Sequence, residues 1–245
     1  MPTITDTIQT ADGTCPVTLS LPEGTGPWPG VVMYPDAGGA RPAFRQMAQR
    51  LADLGYAVLV PDVYYRSGSW APFDMKTAFG DEGERNRLFG LMRSITPDVM
   101  AADARAFFDY LDSRPEVRGQ RFGTTGYCMG GRTSLIVAGR VPDRVAAAMS
   151  FHGGGLAADA DPGSPHRLAD RIQAAVYVGG AENDASYTAE DEQRLDRALT
   201  EAGVEHVMEW YAAAHGFAVP DNAPFDGSAA EKHWKAMESF FGAHL

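Results

Sequence analysis

The sequence predicts an α/β fold: a mostly parallel central sheet with helices on both faces and an N-terminal β-hairpin. Three observations predict it. Short, continuous apolar runs recur at 31–34, 56–60, 145–151 and 173–178, as expected of strands covered on both faces. Amphipathic segments of helical spacing lie between such runs on short connections, and the right-handed strand–helix–strand crossover makes successive strands parallel. Third, a strand-like run from Phe122 meets Gly126-Tyr127-Cys128-Met129-Gly130-Gly131, and a helix-compatible segment, 132–138, follows at once.

Taken in order, residues 3–21 alternate weakly through Ile4, Ile8, Val17, Leu19 and Leu21 around Ala11-Asp12-Gly13. That pattern is a hairpin with a glycine turn, expected to lie peripheral to the main sheet. Cys15 on its second strand is a small packing residue. After a loop at 22–27 and the strand at 31–34, Pro42 opens a helix at its favoured first-turn position. Phe44, Met47, Leu51 and Leu54 give that helix one apolar stripe, and Gly55 closes it. The strand at 56–60 ends at Pro61-Asp62.

Residues 64–96 break the rhythm, with Tyr64, Tyr65, Arg66, Trp70, Phe73, Phe79, Arg85, Arg87, Phe89 and Arg93 set among glycines and prolines. So long an irregular stretch, leaving the C-terminal end of a parallel strand, is expected to form a lid or pocket wall. Tyr65, Trp70 and Phe73 are its expected substrate contacts. Helices follow from Pro97 to about Ser113, near 188–202 with Gly203 as the stop, and at roughly 228–243, with a strand at 204–211 between the last two. No repeat, low-complexity tract or linker divides the chain, so one domain is expected over 1–245.

Composition narrows the function classes. Apolar residues make up 44% and charged residues 22%, ordinary for a globular protein. A formal charge of −11 argues against nucleic acid and anionic membranes as partners. No apolar run approaches the roughly 20 residues that span a bilayer, and the N-terminus lacks the basic and apolar regions of a signal peptide. Cys15 and Cys128 are the two cysteines, and neither a disulfide framework nor a zinc spacing results. A cytoplasmic protein without metal or cofactor, as a monomer or small homo-oligomer, is the expectation.

The turn at Cys128 has the Gly-x-nucleophile-x-Gly spacing of a nucleophile elbow, with cysteine in place of the commoner serine. A strand turning directly into a helix strains the central residue and crowds its neighbours, hence the glycines. The first turn of the helix favours thiolate over thiol. Alone, the same spacing equally describes a packed, inert cysteine. A thiolate nucleophile needs a base, and His215 has the best context of six histidines, in a glycine-containing loop after a strand. An acidic loop at 182–184 also follows a strand. Cys128, acid and histidine thus fall in the chain order of an α/β-hydrolase triad. Asp184, opening the polar turn Asp184-Ala185-Ser186, is preferred over Glu182.

His152 opens His152-Gly153-Gly154-Gly155, which resembles an oxyanion-loop motif but follows the nucleophile rather than preceding it; it is a candidate pocket-wall residue. His166, His206, His233 and His244 read as loop or helix-surface residues. The oxyanion donors are expected from the amides of Met129 and of Ala37 or Asp36. The Asp36 carboxylate, if beside the thiol, would raise its pKa and keep it neutral until substrate arrives; capping a loop or helix is the alternative.

On Gly126-Tyr127-Cys128-Met129-Gly130-Gly131, Pro61-Asp62-Val63-Tyr64-Tyr65, the acidic turn ending at Asp184, and His215-Gly216-Phe217, the chain resembles the dienelactone hydrolase family of α/β hydrolases over nearly its whole length. The resemblance implies a Cys-Asp-His triad at Cys128, Asp184 and His215. It also implies an acidic residue holding the resting cysteine, here Asp36 in place of a longer glutamate. Val219 stands where the prototype carries a substrate-binding arginine, which leaves Arg85 or Arg93 as anion contacts. The implied activity is cleavage of a small ester, lactone or thioester through an acyl-enzyme on Cys128. The alternative from another class is a catalytically silent domain that binds a ligand or senses oxidants through that thiol.

Overall fold

A computed structural model describes residues 2–245. Eight strands form one sheet: β1 (Thr3–Thr10), β2 (Gly13–Ser20), β3 (Trp28–Tyr34), β4 (Ala57–Pro61), β5 (Val117–Tyr127), β6 (Val145–Phe151), β7 (Ala175–Asn183) and β8 (His206–Ala214). Their spatial order is β1-β2-β4-β3-β5-β6-β7-β8. From β4 to β8 every neighbouring pair is parallel. The hairpin β1–β2 is not peripheral: β2 runs antiparallel to β4, with Val17 opposite Pro61 and Leu19 opposite Leu59. It continues the sheet because its apolar side chains bury in the same core as the parallel strands.

Six α-helices occur among the described residues: α1 (Pro42–Asp53), α2 (Glu82–Arg93), α3 (Pro97–Asp112), α4 (Met129–Arg140), α5 (Ala189–Glu201) and α6 (Gly227–His244); all but α2, which stands off the sheet, cover its two faces. Successive strand residues point to opposite faces, so the continuous apolar runs serve two cores at once. Val32, Tyr34, Ala57 and Leu59 pack with Phe107, Phe108, Leu135 and Leu195 of α3, α4 and α5. Val31, Met33, Val58 and Val60 pack with Phe44 and Leu51 of α1 and with Met237 and Phe241 of α6. Each of the Val, Leu, Phe and Met side chains among them contributes on the order of 1.5–3 kcal/mol.

The segment expected to be irregular is irregular only in its first half. Asp81 accepts a hydrogen bond from the Glu84 amide and starts α2, in which Leu88 is the fully buried residue. Its first half, residues 82–87, holds only Glu, Gly, Arg and Asn, and the apolar spacing begins at Leu88 with Leu91 and Met92. The first half of β5, Val117–Arg121, escaped notice for a related reason: Arg118, Gly119, Gln120 and Arg121 are exposed. Among the described residues no helix is long and apolar enough to cross a membrane, and no group of three or more His, Cys, Asp or Glu is placed to hold a metal ion.

Candidate active site

Strand β5 ends at Tyr127 and α4 begins at Met129, so one residue makes the whole turn. Cys128 has φ 54 and ψ −115, a conformation rare outside glycine and costly for any other side chain. Two hydrogen bonds hold it there. The Cys128 amide donates to the Phe151 carbonyl at the end of β6 (3.1 Å), and the Arg132 amide donates to the Cys128 carbonyl (3.2 Å). The flanking glycines allow the close approach: a Cβ on Gly126 would strike the Gly130 carbonyl, and one on Gly130 the Tyr34 carbonyl. Cys128 is half-buried at the N-terminus of α4. Cys15, by contrast, is fully buried, and burial pushes its thiol up to about 12.

His215 follows β8 and Asp184 follows β7. The His215 Nδ1 and Asp184 Oδ2 atoms are 2.6 Å apart. Asp184 Oδ1 accepts from both the Ser186 amide (2.8 Å) and Ser186 Oγ (2.6 Å), so all its partners favour the ionised form. Burial alone would raise the Asp184 pKa, but the bond to His215 and those to Ser186 hold it below the ordinary value. Burial likewise opposes a charged His215; the hydrogen bonds to Asp184 and Cys128 outweigh it and push the imidazole up to about 10. Glu182 is exposed.

His152 sits behind this pair rather than on a pocket wall. It is fully buried with φ 39, and among the described residues neither ring nitrogen has a hydrogen-bond partner. Its ring stands edge-on to His215 and to Phe217, each at 5.2 Å between centroids. Burial and the nearby His215 and His233 push its pKa well down, which keeps it neutral. His233 is also not a surface residue. It is buried on α6 beside the Tyr127 hydroxyl (3.1 Å), and burial takes its pKa to about 3.

Asp36 does not hold the cysteine. Its carboxylate is taken by Arg41 (Nη1–Oδ1 2.5 Å, Nη2–Oδ2 3.0 Å), by the Gly38 amide (2.9 Å) and by Asn222 Nδ2 (3.1 Å). The loop it shapes carries Ala37, whose carbonyl accepts from the Tyr64 hydroxyl (2.9 Å). Ala37 and Met129 both border the cleft beside Cys128. Met129 is the first residue of α4, so its amide has no acceptor within the helix.

Two cavities meet at Cys128 and His215, sharing Ala37 and Phe79 as well. The larger is about 520 Å³ and the smaller about 350 Å³. Residues from 75 to 95 of the 64–96 segment line them, with Phe89, Met92 and Ile95 on one cavity, Met75 and Lys76 on the other and Phe79 on both. The four residues expected as substrate contacts from this segment lie elsewhere. Tyr65 bonds through its hydroxyl to Thr10 (2.6 Å) and Asp103 (3.0 Å), on the far side of the loop. Trp70 donates Nε1 to Asp62 (3.2 Å) and stacks on Phe73, which Arg87 covers at 3.6 Å. Arg85 is bound to the Phe79 carbonyl (3.1 Å). Neither Arg85 nor Arg93 borders a cavity, and Val219 is buried in the core under α6. Ser186 and Asn222 were not anticipated; the polar turn after Asp184 was the available signal for the first.

A sheet with this strand order, helices on both faces and a nucleophile-elbow turn between β5 and α4 define an α/β hydrolase. The chain belongs to the dienelactone hydrolase family, whose model matches residues 16–245, and it is a hydrolase. It is 28% identical over 239 residues to the carboxymethylenebutenolidase of Rhodococcus opacus, covering 95% of this chain and 88% of that one. With the carboxymethylenebutenolidase of Pseudomonas sp. strain P51 it shares 29% identity over 211 residues, 86% of this chain and 82% of the other. A solved dienelactone hydrolase-like promiscuous phosphotriesterase from metagenomic libraries superposes with TM-score 0.77 at 27% identity, covering 100% of this chain and 99% of that one. The dienelactone hydrolase of Anabaena variabilis shares the fold, with TM-score 0.69 at 16% identity over 100% of this chain and 98% of its own.

Proposed function

We propose that the protein hydrolyses a small carboxylic ester, lactone or thioester through an acyl-enzyme on Cys128. The Cys128 sulfur attacks the carbonyl carbon as thiolate, and the carbonyl electron pair moves to oxygen. The Met129 and Ala37 amides receive that oxyanion, each such donor contributing on the order of 10²–10³ in rate. His215, held by Asp184, gives its proton to the departing alcohol or thiol as the acyl bond breaks. Water then attacks the thioester, His215 takes a proton from it, and the thiolate leaves with the acid released. No cofactor enters this sequence.

The observation that carries the reading is the 2.6 Å Asp184–His215 contact beside a cysteine held at positive φ on the N-terminus of α4, within one cleft. It is tested by steady-state turnover of p-nitrophenyl acetate and of a small lactone by wild type and Cys128→Ala. A loss of about 10³-fold or more is expected. Unchanged turnover in the variant would overturn the assignment. A wild-type burst that never reaches steady state would favour a ligand-binding or oxidant-sensing thiol instead.

A further inference from the structure

We infer that the larger cavity binds a neutral, apolar half of the substrate, of the size of an aromatic ring or medium-length alkyl chain, and rejects a carboxylate there. This rests on the ester-hydrolase reading above and specifies its substrate class. The walls beside Cys128 are Phe79, Phe89, Met92, Ile95, Met100 and Met129, around about 520 Å³. Cavities of that volume bury most of a small organic group.

Charge makes the stronger argument. Apart from the catalytic imidazole of His215, the one cation among the described lining residues is Arg132, and both its Nη atoms already have acceptors. Its Nη2 donates to Asp161 (2.6 Å) and to the Gly163 carbonyl (3.0 Å), and its Nη1 donates to the Gly155 carbonyl. The one carboxylate in the lining, Asp184, belongs to His215. A substrate carboxylate carried past the Met129 and Ala37 amides to Phe89, Met92, Ile95 and Met100 would lose its hydration and meet no donor among those side chains, a heavy penalty for a buried charge. The smaller cavity is also largely apolar, through Ala37, Met75, Phe79, Ala223 and Pro224, but it has a cation of its own. Of its polar neighbours, Asp36 and Asn222 are bound to each other and to Arg41, whereas Lys76 is exposed and its ammonium pairs with no carboxylate among the described residues. An anionic or polar half of the substrate therefore faces Lys76, and the apolar half faces α2.

The test measures kcat/KM for p-nitrophenyl esters with acetyl, butanoyl, hexanoyl, benzoyl and 4-carboxybutanoyl groups, and for a matching set of acetates whose alcohol half varies. In one of the two sets kcat/KM should rise about threefold per added methylene, and a terminal carboxylate on that half should lower it at least tenfold. Met100→Trp, which fills the cavity, should cut the hexanoyl-to-acetyl ratio, or its alcohol counterpart, at least tenfold. A flat profile in both sets, or a preference for the carboxylate on the favoured half, overturns the inference. To separate its failure from that of the Cys128 mechanism, binding of hexanamide and of succinamic acid to Cys128→Ala is titrated calorimetrically. Met100→Trp added to that background should weaken hexanamide at least tenfold and succinamic acid, whose carboxylate can face Lys76, far less, whether or not Cys128 is the nucleophile; equal losses for the two ligands count against the inference.

Discussion

Arg41 grips Asp36 through two contacts, 2.5 and 3.0 Å, and with the same guanidinium reaches Asp221 on the loop beyond His215 (2.8 Å). Arg41 and Asp36 are 3% and 2% exposed. One side chain thus ties the Ala37 loop, after β3, to the loop that follows His215, so the two halves of the cleft share a brace. Removing the cation strands Asp36 in a dry site, which typically costs about 3–5 kcal/mol. Arg41→Met is expected to lose that much in urea unfolding. The double variant Arg41→Met, Asp36→Asn should recover much of it, since no bare charge then remains. Equal loss in both would mean that packing, not charge, makes this brace.

The elbow makes a sharper steric prediction. Gly126→Ala would put a methyl group onto the Gly130 carbonyl, and main chain on both sides leaves no rotamer to swing away. Overpacking usually costs about 1–3 kcal/mol, and backbone against backbone should exceed it. The variant is expected to lower the melting temperature by at least 10 °C or to accumulate as insoluble chain. Gly242→Ala, exposed on α6 with nothing near its Cβ position, is the matched control and should melt with wild type or slightly above it, since alanine favours a helix over glycine.

Ser186 gives Asp184 two hydrogen bonds, one from its amide and one from its hydroxyl. Ser186→Ala keeps the first and loses the second, so the Asp184 carboxyl should titrate at higher pH than in wild type. The expected outcome is a three- to tenfold fall in kcat for p-nitrophenyl acetate near neutrality. The acid limb of the kcat/KM profile should also move up in pH, a shift that a purely structural role of the hydroxyl would not produce. An unmoved limb would remove Ser186 from the proton chemistry.

How much of this was legible beforehand depended on what each residue type can announce. Apolar runs announced strands, since strands covered on both faces leave no polar alternation, and Val145–Phe151 came out with its observed bounds. Cys128, Asp184 and His215 were placed beside one cleft by a rule of topology, that strand ends gather on one edge of a parallel sheet. The direction of a side chain in a loop obeys no such rule. Tyr65, Trp70 and Phe73 have the chemistry of a pocket wall, but Asp62, Thr10 and Asp103 turn the first two away. Phe79 and Phe89, equally visible as letters, border the cleft, Phe89 from α2 and Phe79 from the turn just before it. For Asp36 the sequence offered two roles, holding the cysteine or capping a loop, and its bond from the Gly38 amide is the second; Arg41 stands five residues on, but only the folded α1 start brings its guanidinium back over the loop.

The His215–Asp184 contact also makes stability depend on pH. His215 titrates near 10 in the fold against an ordinary value of 6.5. A group whose pKa is raised by folding stabilises fully while both states are protonated, below about pH 6.5, and that contribution is lost as pH rises toward 10. Asp184 is lowered from 3.8, so its side of the same contact is present above about pH 4 and fades as acid titrates the folded carboxylate. The two describe one interaction and do not add. Unfolding free energies of wild type and His215→Gln, measured in urea from pH 4 to 10, should therefore differ most between about pH 4 and 6.5. The gap should narrow steadily through pH 7, 8 and 9. A gap that is constant over that range would mean that the imidazole is neutral in the resting protein, and a gap that widens with pH would mean that folding lowers its pKa.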